Sequence, residues 1–120
     1  MNLNKAKKLC AGLPGATQDV KWESSLVFSV GGKMFATVSN DADPKASRIS
    51  FKVDDDAFLA LTDRPGIIPA PYLARAKWVR IDDLKAVSDE EAAALLRRAH
   101  EIVFGKLAKK LQREISEGGA

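Results

Sequence analysis

Residues 25–39, SLVFSVGGKMFATVS, are two alternating apolar runs that meet at adjacent glycines. Both central positions of a type I′ turn need positive φ, which glycine adopts at little cost, so the chain is expected to reverse at Gly31-Gly32 into a β-hairpin. Turning there sets Val30 against Lys33, Phe28 against Phe35 and Leu26 against Thr37. Directly opposed residues share a face, so the two phenylalanines mark the side that needs a core. A glycine pair before a lysine also occurs in phosphate-binding loops, but here the Walker spacing and the following helix are missing.

The rest of the chain supplies what that core face needs. Asn4 is positioned to cap a first helix in which Ala6, Leu9, Cys10 and Leu13 recur on one face, with Gly12 and Pro14 at its end. On that face Cys10 reads as a small core residue. The stretch RISFKV is a strand with Ile49, Phe51 and Val53 inward, which turns Arg48, Ser50 and Lys52 outward. Asp54, Asp55 and Asp56 open the next helix, with Asp54 as cap and the other two favouring the helix dipole. Adjacent carboxylates at a helix start do not converge on one metal ion.

Residues 64–81, RPGIIPAPYLARAKWVRI, hold prolines, aromatics and cations but no acid. Pro65-Gly66 ends the preceding helix, and Pro69 and Pro71 keep the crossing segment extended. In the strand that follows, Val79 and Ile81 face inward. Trp78 and Arg80 then point outward, onto the side of Arg48 and Lys52. Ser88 and Glu91 form a capping box that opens a long C-terminal helix. Leu96, Val103, Leu107, Leu111 and Ile115 are its apolar face, while Lys106, Lys109, Lys110 and Arg113 recur at i, i+3, i+4 and i+7 as a cationic stripe. Gly105 leaves open whether this is one helix or two. His100 falls toward the apolar side and reads as a packed or boundary histidine.

At 120 residues, with 46% of them hydrophobic, residues 1–120 form one domain that can bury a core without metal or disulfide. Cys10 is the only cysteine, which excludes an internal disulfide and leans toward a reducing compartment. No stretch has signal-peptide pattern or the roughly 20 apolar residues of a membrane helix, so cytoplasm is the default location. The net charge of +3 is modest, but the acids are gathered in short blocks and leave long runs of cations unopposed. No nucleophile with a base, no metal-ligand spacing and no cofactor motif is present, so the expectation is a protein without catalytic residues, cofactor or metal.

The segments LPGA at 13–16, Trp22, F.V.GK.FA at 28–36, PA.YLAR..WV at 69–79 and KLAKKL near the end occur in one order across most of the chain. In this the sequence resembles the MmcQ/YjbR family of small bacterial proteins. It departs from the family's pattern at Glu23, where glycine is usual, and at Ala108, where proline is usual. The resemblance implies an α+β, frataxin-like (CyaY-like) fold, an antiparallel β-sheet with helices packed on one face. It also implies the family's customary description, a DNA-binding protein with a double-wing arrangement, and brings no catalytic residues with it.

The expected function is therefore DNA binding, in which cations meet phosphates and an exposed aromatic stacks. The candidates are Arg48, Lys52, Trp78 and Arg80 on the open sheet face, with Lys77 at its edge. Lys33 beside the hairpin turn and Lys45 in the following loop are placed as wing contacts, and Lys106, Lys109, Lys110 and Arg113 form a separate helical patch. The alternative is a protein-interaction or small-ligand module on the same face or on the Pro69–Arg75 loop, anchored by Tyr72 and Trp78. Iron handling, suggested by the fold alone, lacks a carboxylate-rich or histidine-rich surface.

Overall fold

In the computed structural model, which describes residues 1–21, 25–39 and 47–118, strands β2 (Ser25–Val30) and β3 (Lys33–Ser39) form the hairpin. The turn glycines Gly31 and Gly32 have φ of 59° and 81°. Val30 pairs with Lys33 as expected, but a bulge between Phe28 and Ser29 shifts the rest of the register. Phe28 faces Ala36, and Leu26 faces Val38, so the expected Phe28–Phe35 and Leu26–Thr37 pairs do not form. The bulge fits an extra residue into β3 and lets both Phe35 and Ala36 reach the core. The Phe28 and Phe35 rings still meet, tilted, with centroids 6.5 Å apart.

Around the hairpin, β1 (Ala16–Lys21), β4 (Ile49–Lys52), β5 (Ile67–Pro69) and β6 (Trp78–Ile81) complete a six-stranded antiparallel sheet in the order β1-β2-β3-β4-β6-β5. Neither edge strand was expected. The β1 sequence ATQDVK has no apolar alternation because most of it is exposed at the margin. In β5, Pro69 sits where a missing N–H costs no ladder bond, on an outer strand.

Helices α1 (Leu3–Ala11), α2 (Asp55–Thr62) and α3 (Asp89–Gly105) pack on one side of this sheet, giving the expected α+β architecture. Ala6 and Cys10, Leu61, and Ala92, Leu96, Ala99 and Val103 meet Phe28, Phe35, Ile49, Phe51, Val79 and Ile81 in one core. Asn2, rather than Asn4, caps α1 by accepting from the Lys5 amide at 2.8 Å. Ser88 accepts from the Glu91 amide, but the Glu91 carboxylate leaves the capping box and grips Arg64 at 2.6 and 2.7 Å. Asp54 stands at the cap position of α2 without capping, because Arg98 takes both carboxylate oxygens at 2.8 and 2.9 Å.

The C-terminal helix is two helices. The chain breaks after Gly105, and α4 (Lys109–Gly118) begins beyond it. Gln112 bridges the break, its side-chain amide donating to the Leu107 carbonyl at 2.8 Å and more weakly to that of Gly105. The apolar face read from the sequence survives the break: Leu107 is buried, and Leu111 and Ile115 pack on the core.

One expected exposure fails. Trp78 lies on the helix-free side, as alternation requires, yet is only 3% exposed and lies outside the main core cluster. The preceding loop returns beside it: the Ala70 amide donates to the Trp78 carbonyl at 3.0 Å, and the Trp78 amide donates to that of Leu73 at 3.2 Å. Its cross-strand neighbour Lys52 donates its ammonium to the Ala76 carbonyl, closing the same enclosure.

Candidate nucleic-acid interface and the open sheet face

The β2–β3 turn and the start of α4 come together. A Cβ built on Gly31 would lie 2.6 Å from Leu107 Cδ1 and 3.1 Å from Leu111 Cδ2, so these leucines seat directly on the turn. Lys33 directly follows the turn, and Lys106, Lys109 and Lys110 flank the seated leucines. Consecutive Cα atoms are about 3.8 Å apart, so all four cations arise within a short radius of Gly31. They are solvent-exposed, and among the described residues none has an ion-pair partner.

Lys52 ends its strand at this same end, because Phe51 pairs with Ala36, near the start of β3. Its pKa is lowered, first by burial and then by the neighbouring Lys106 ammonium. Two residue groups that are distant in sequence, the hairpin lysine and the C-terminal cations, thus lie at one end of the sheet. Lys109 and Lys110 occupy the first turn of α4, where no acid is present and cations oppose the helix dipole. Arg113 is exposed further along α4. The break places Lys106 at the end of α3, off the continuous stripe read from the sequence.

The cations of the sheet face are organised differently. Arg80 binds Asp82 through Nε at 2.6 Å and Nη2 at 3.1 Å, and Arg48 approaches the same carboxylate at 3.8 Å. Lys77 turns away, its ammonium 5.0 Å from the centre of the Phe58 ring on α2. Beside Arg80 a groove of about 490 Å³ opens, lined by Met34, Thr37, Ser50, Ala70, Tyr72 and Leu73 among others. The β3 bulge is why Met34 and Thr37 share this side. Tyr72 is fully exposed at its rim with φ of 67°, and Lys77, five residues on, has φ of 62°. The groove was not legible in the sequence, because the loop conformation that walls it depends on these two left-handed residues.

Lys45 lies outside the described residues, as do Trp22 and Glu23. His100 is buried, donates from Nε2 to the Pro14 carbonyl at 2.7 Å, and packs edge-on against Phe35 and stacked on Phe104. The Cys10 thiol is pushed up to about 12 by burial, which removes its nucleophilicity near neutral pH. Among the described residues no His, Cys, Asp and Glu side chains are grouped to hold a metal ion, and no helix is long and apolar enough to cross a membrane.

These features define a small α+β domain with one charged end and one uncovered sheet face. The chain belongs to the YjbR family, whose model matches residues 11–102. It is similar to the Deinococcus radiodurans protein DR2400, a DUF419-domain protein, with 26% identity and a TM-score of 0.82 over 99% of this chain and 94% of that one. A protein from Pseudomonas syringae shares the fold, with 20% identity and a TM-score of 0.68 over 86% of this chain and 99% of that one. No curated protein matches the chain.

Proposed function

We propose that this YjbR-family protein is a non-catalytic DNA-binding domain that docks duplex DNA on its hairpin end. The observation that carries the reading is that Lys33, Lys106, Lys109 and Lys110 arise beside the turn and the two leucines seated on it, exposed and without an ion-pair partner among the described residues, while Lys52, which senses Asp55 and Asp54, lies beside Lys106. Cations clustered without counter-charges are what phosphate binding requires, since neutralising the backbone releases its condensed counterions. Lys109 and Lys110 at the start of α4 also put their charge beside free helix amides, which favour anions. The β2–β3 turn then acts as the wing of the family's description. The sheet face is a poorer phosphate surface, because Arg48 and Arg80 share Asp82 and the Trp78 ring is buried.

Titrating labelled duplex DNA between about 50 and 200 mM salt tests this. Five phosphate contacts predict a slope of log affinity against log salt near −4.5. Replacing Lys106, Lys109 and Lys110 together with Ala should make the slope shallower by about 2.7, while Arg80→Ala leaves it unchanged. The opposite ranking would move the interface to the sheet, and absence of binding at the lower salt would exclude duplex DNA as the ligand.

A further inference from the structure

The groove on the uncovered sheet face is a separate surface from the lysine end, and three of its features point to one kind of occupant. First, it is concave and mainly apolar, with Met34, Ala70, Pro71 and Leu73 as walls and the Thr37 and Ser50 hydroxyls among its lining. Its volume of about 490 Å³ falls within the roughly 300–1,000 Å³ of ordinary small-ligand sites.

Second, it has a fixed cation. Asp82 holds Arg80 through Nε and Nη2, which immobilises the guanidinium plane and leaves Nη1 without a partner among the described residues. Because Arg48 shares that carboxylate, the cluster of two guanidiniums and one carboxylate carries one net positive charge. A guanidinium held in this way favours an oxyanion, and a planar carboxylate matches its fork.

Third, an aromatic ring is held at the rim at a conformational cost. Tyr72 is fully exposed in the left-handed region, a conformation that side chains other than glycine, asparagine and aspartate seldom adopt. The surrounding loop fixes it there through the Leu73 amide to Ala70 carbonyl bond at 3.1 Å and the two bonds to Trp78. A ring kept in water by a strained backbone gains apolar contact only when something enters the groove.

We infer that this groove binds a small planar aromatic monocarboxylate, its ring against Tyr72 and Leu73 and its carboxylate on Nη1 of Arg80. The acid group selects against neutral ligands, and the single net charge selects against polyanions.

Calorimetric titration with 2-naphthoate, alongside its neutral isostere 2-naphthamide, tests the assignment. Wild type should bind the acid at least ten-fold more tightly than the amide. Arg80→Ala should abolish that preference while leaving amide binding unchanged. Tyr72→Gly removes the ring and relieves the left-handed strain, so the protein stays folded while affinity for both compounds falls several-fold. No heat with naphthoate at millimolar concentration, equal affinity for acid and amide, or an Arg80→Ala protein that retains the preference would overturn the inference. Tighter binding of a peptide through its free C-terminus than of naphthoate would overturn it in favour of a protein partner. The lysine-to-alanine protein of the DNA experiment should bind naphthoate normally, so the two surfaces are tested apart.

Discussion

At the scale of single residues, His100 and Trp78 show how polar edges are accommodated on the two sides of this sheet. His100 sits in the core because its ring N–H meets the Pro14 carbonyl while the ring packs edge-on against Phe35 and stacks on Phe104. Trp78 is enclosed on the side that carries no helix, within a loop bonded to its own backbone. Its burial changes the expected cost of truncation. Trp78→Ala should destabilise by about 3 to 5 kcal/mol, as much as Phe35→Ala, both read from urea midpoints with unchanged slopes. A Trp78→Ala loss below about 1 kcal/mol would mean that the indole is packed loosely. Alternation fixes which side of a strand a residue occupies, and here it placed Trp78 correctly. It says nothing of what lies across that side, and the cover is a loop whose shape depends on Tyr72 and Lys77 at positive φ.

At the scale of elements, each helix on the core side is tied to α3 by a carboxylate. Asp54 at the cap position of α2 binds Arg98, Arg64 after α2 binds Glu91, and Lys5 on α1 binds Asp89 at 2.7 Å. The Arg98 hydrogen bonds lower the Asp54 pKa, Arg64 lowers that of Glu91, and Lys5 with the Met1 amine holds Asp89 at about 2. A carboxylate whose pKa is depressed in the folded state contributes stability above its unfolded value and loses it as pH falls through the folded one. Stability should therefore be level from about pH 5 to about pH 8 and decline between about pH 4 and pH 2, with a separate loss at alkaline pH where the unfolded Cys10 thiol ionises and the buried one does not. Arg98→Ala should flatten part of that decline, as followed by urea midpoints across the pH series. The helices and inner strands were legible because their apolar periods are strong. Strand β1 was not, since ATQDVK lies at a wet edge and takes its conformation from the β2 ladder rather than from its own side chains.

At the scale of the whole molecule, charge is sorted by place. The arginines Arg64, Arg80 and Arg98 are occupied by carboxylates, and lysines without described partners gather where the hairpin meets α4. The lysines of that end were all readable as candidate cations in the sequence. Their grouping was not, because it depends on the break after Gly105 and on Leu107 and Leu111 closing over Gly31. Gly31→Ala tests that closure. An added methyl would meet Leu107 and require a left-handed alanine, so the variant should lose stability and, with α4 displaced, DNA affinity together. Retained affinity in a folded Gly31→Ala protein would show that the lysines act without the docked helix.

The lone thiol offers a clock for motions of the fold. Cys10 is wholly enclosed between α1 and the sheet, and thiolate is scarce until that enclosure opens. A chemical label can reach it only in molecules where α1 has parted from the strands, so the labelling rate reports the frequency of that parting. Compared with the global unfolding rate, it tells whether the N-terminal helix detaches by itself or departs only with the whole core.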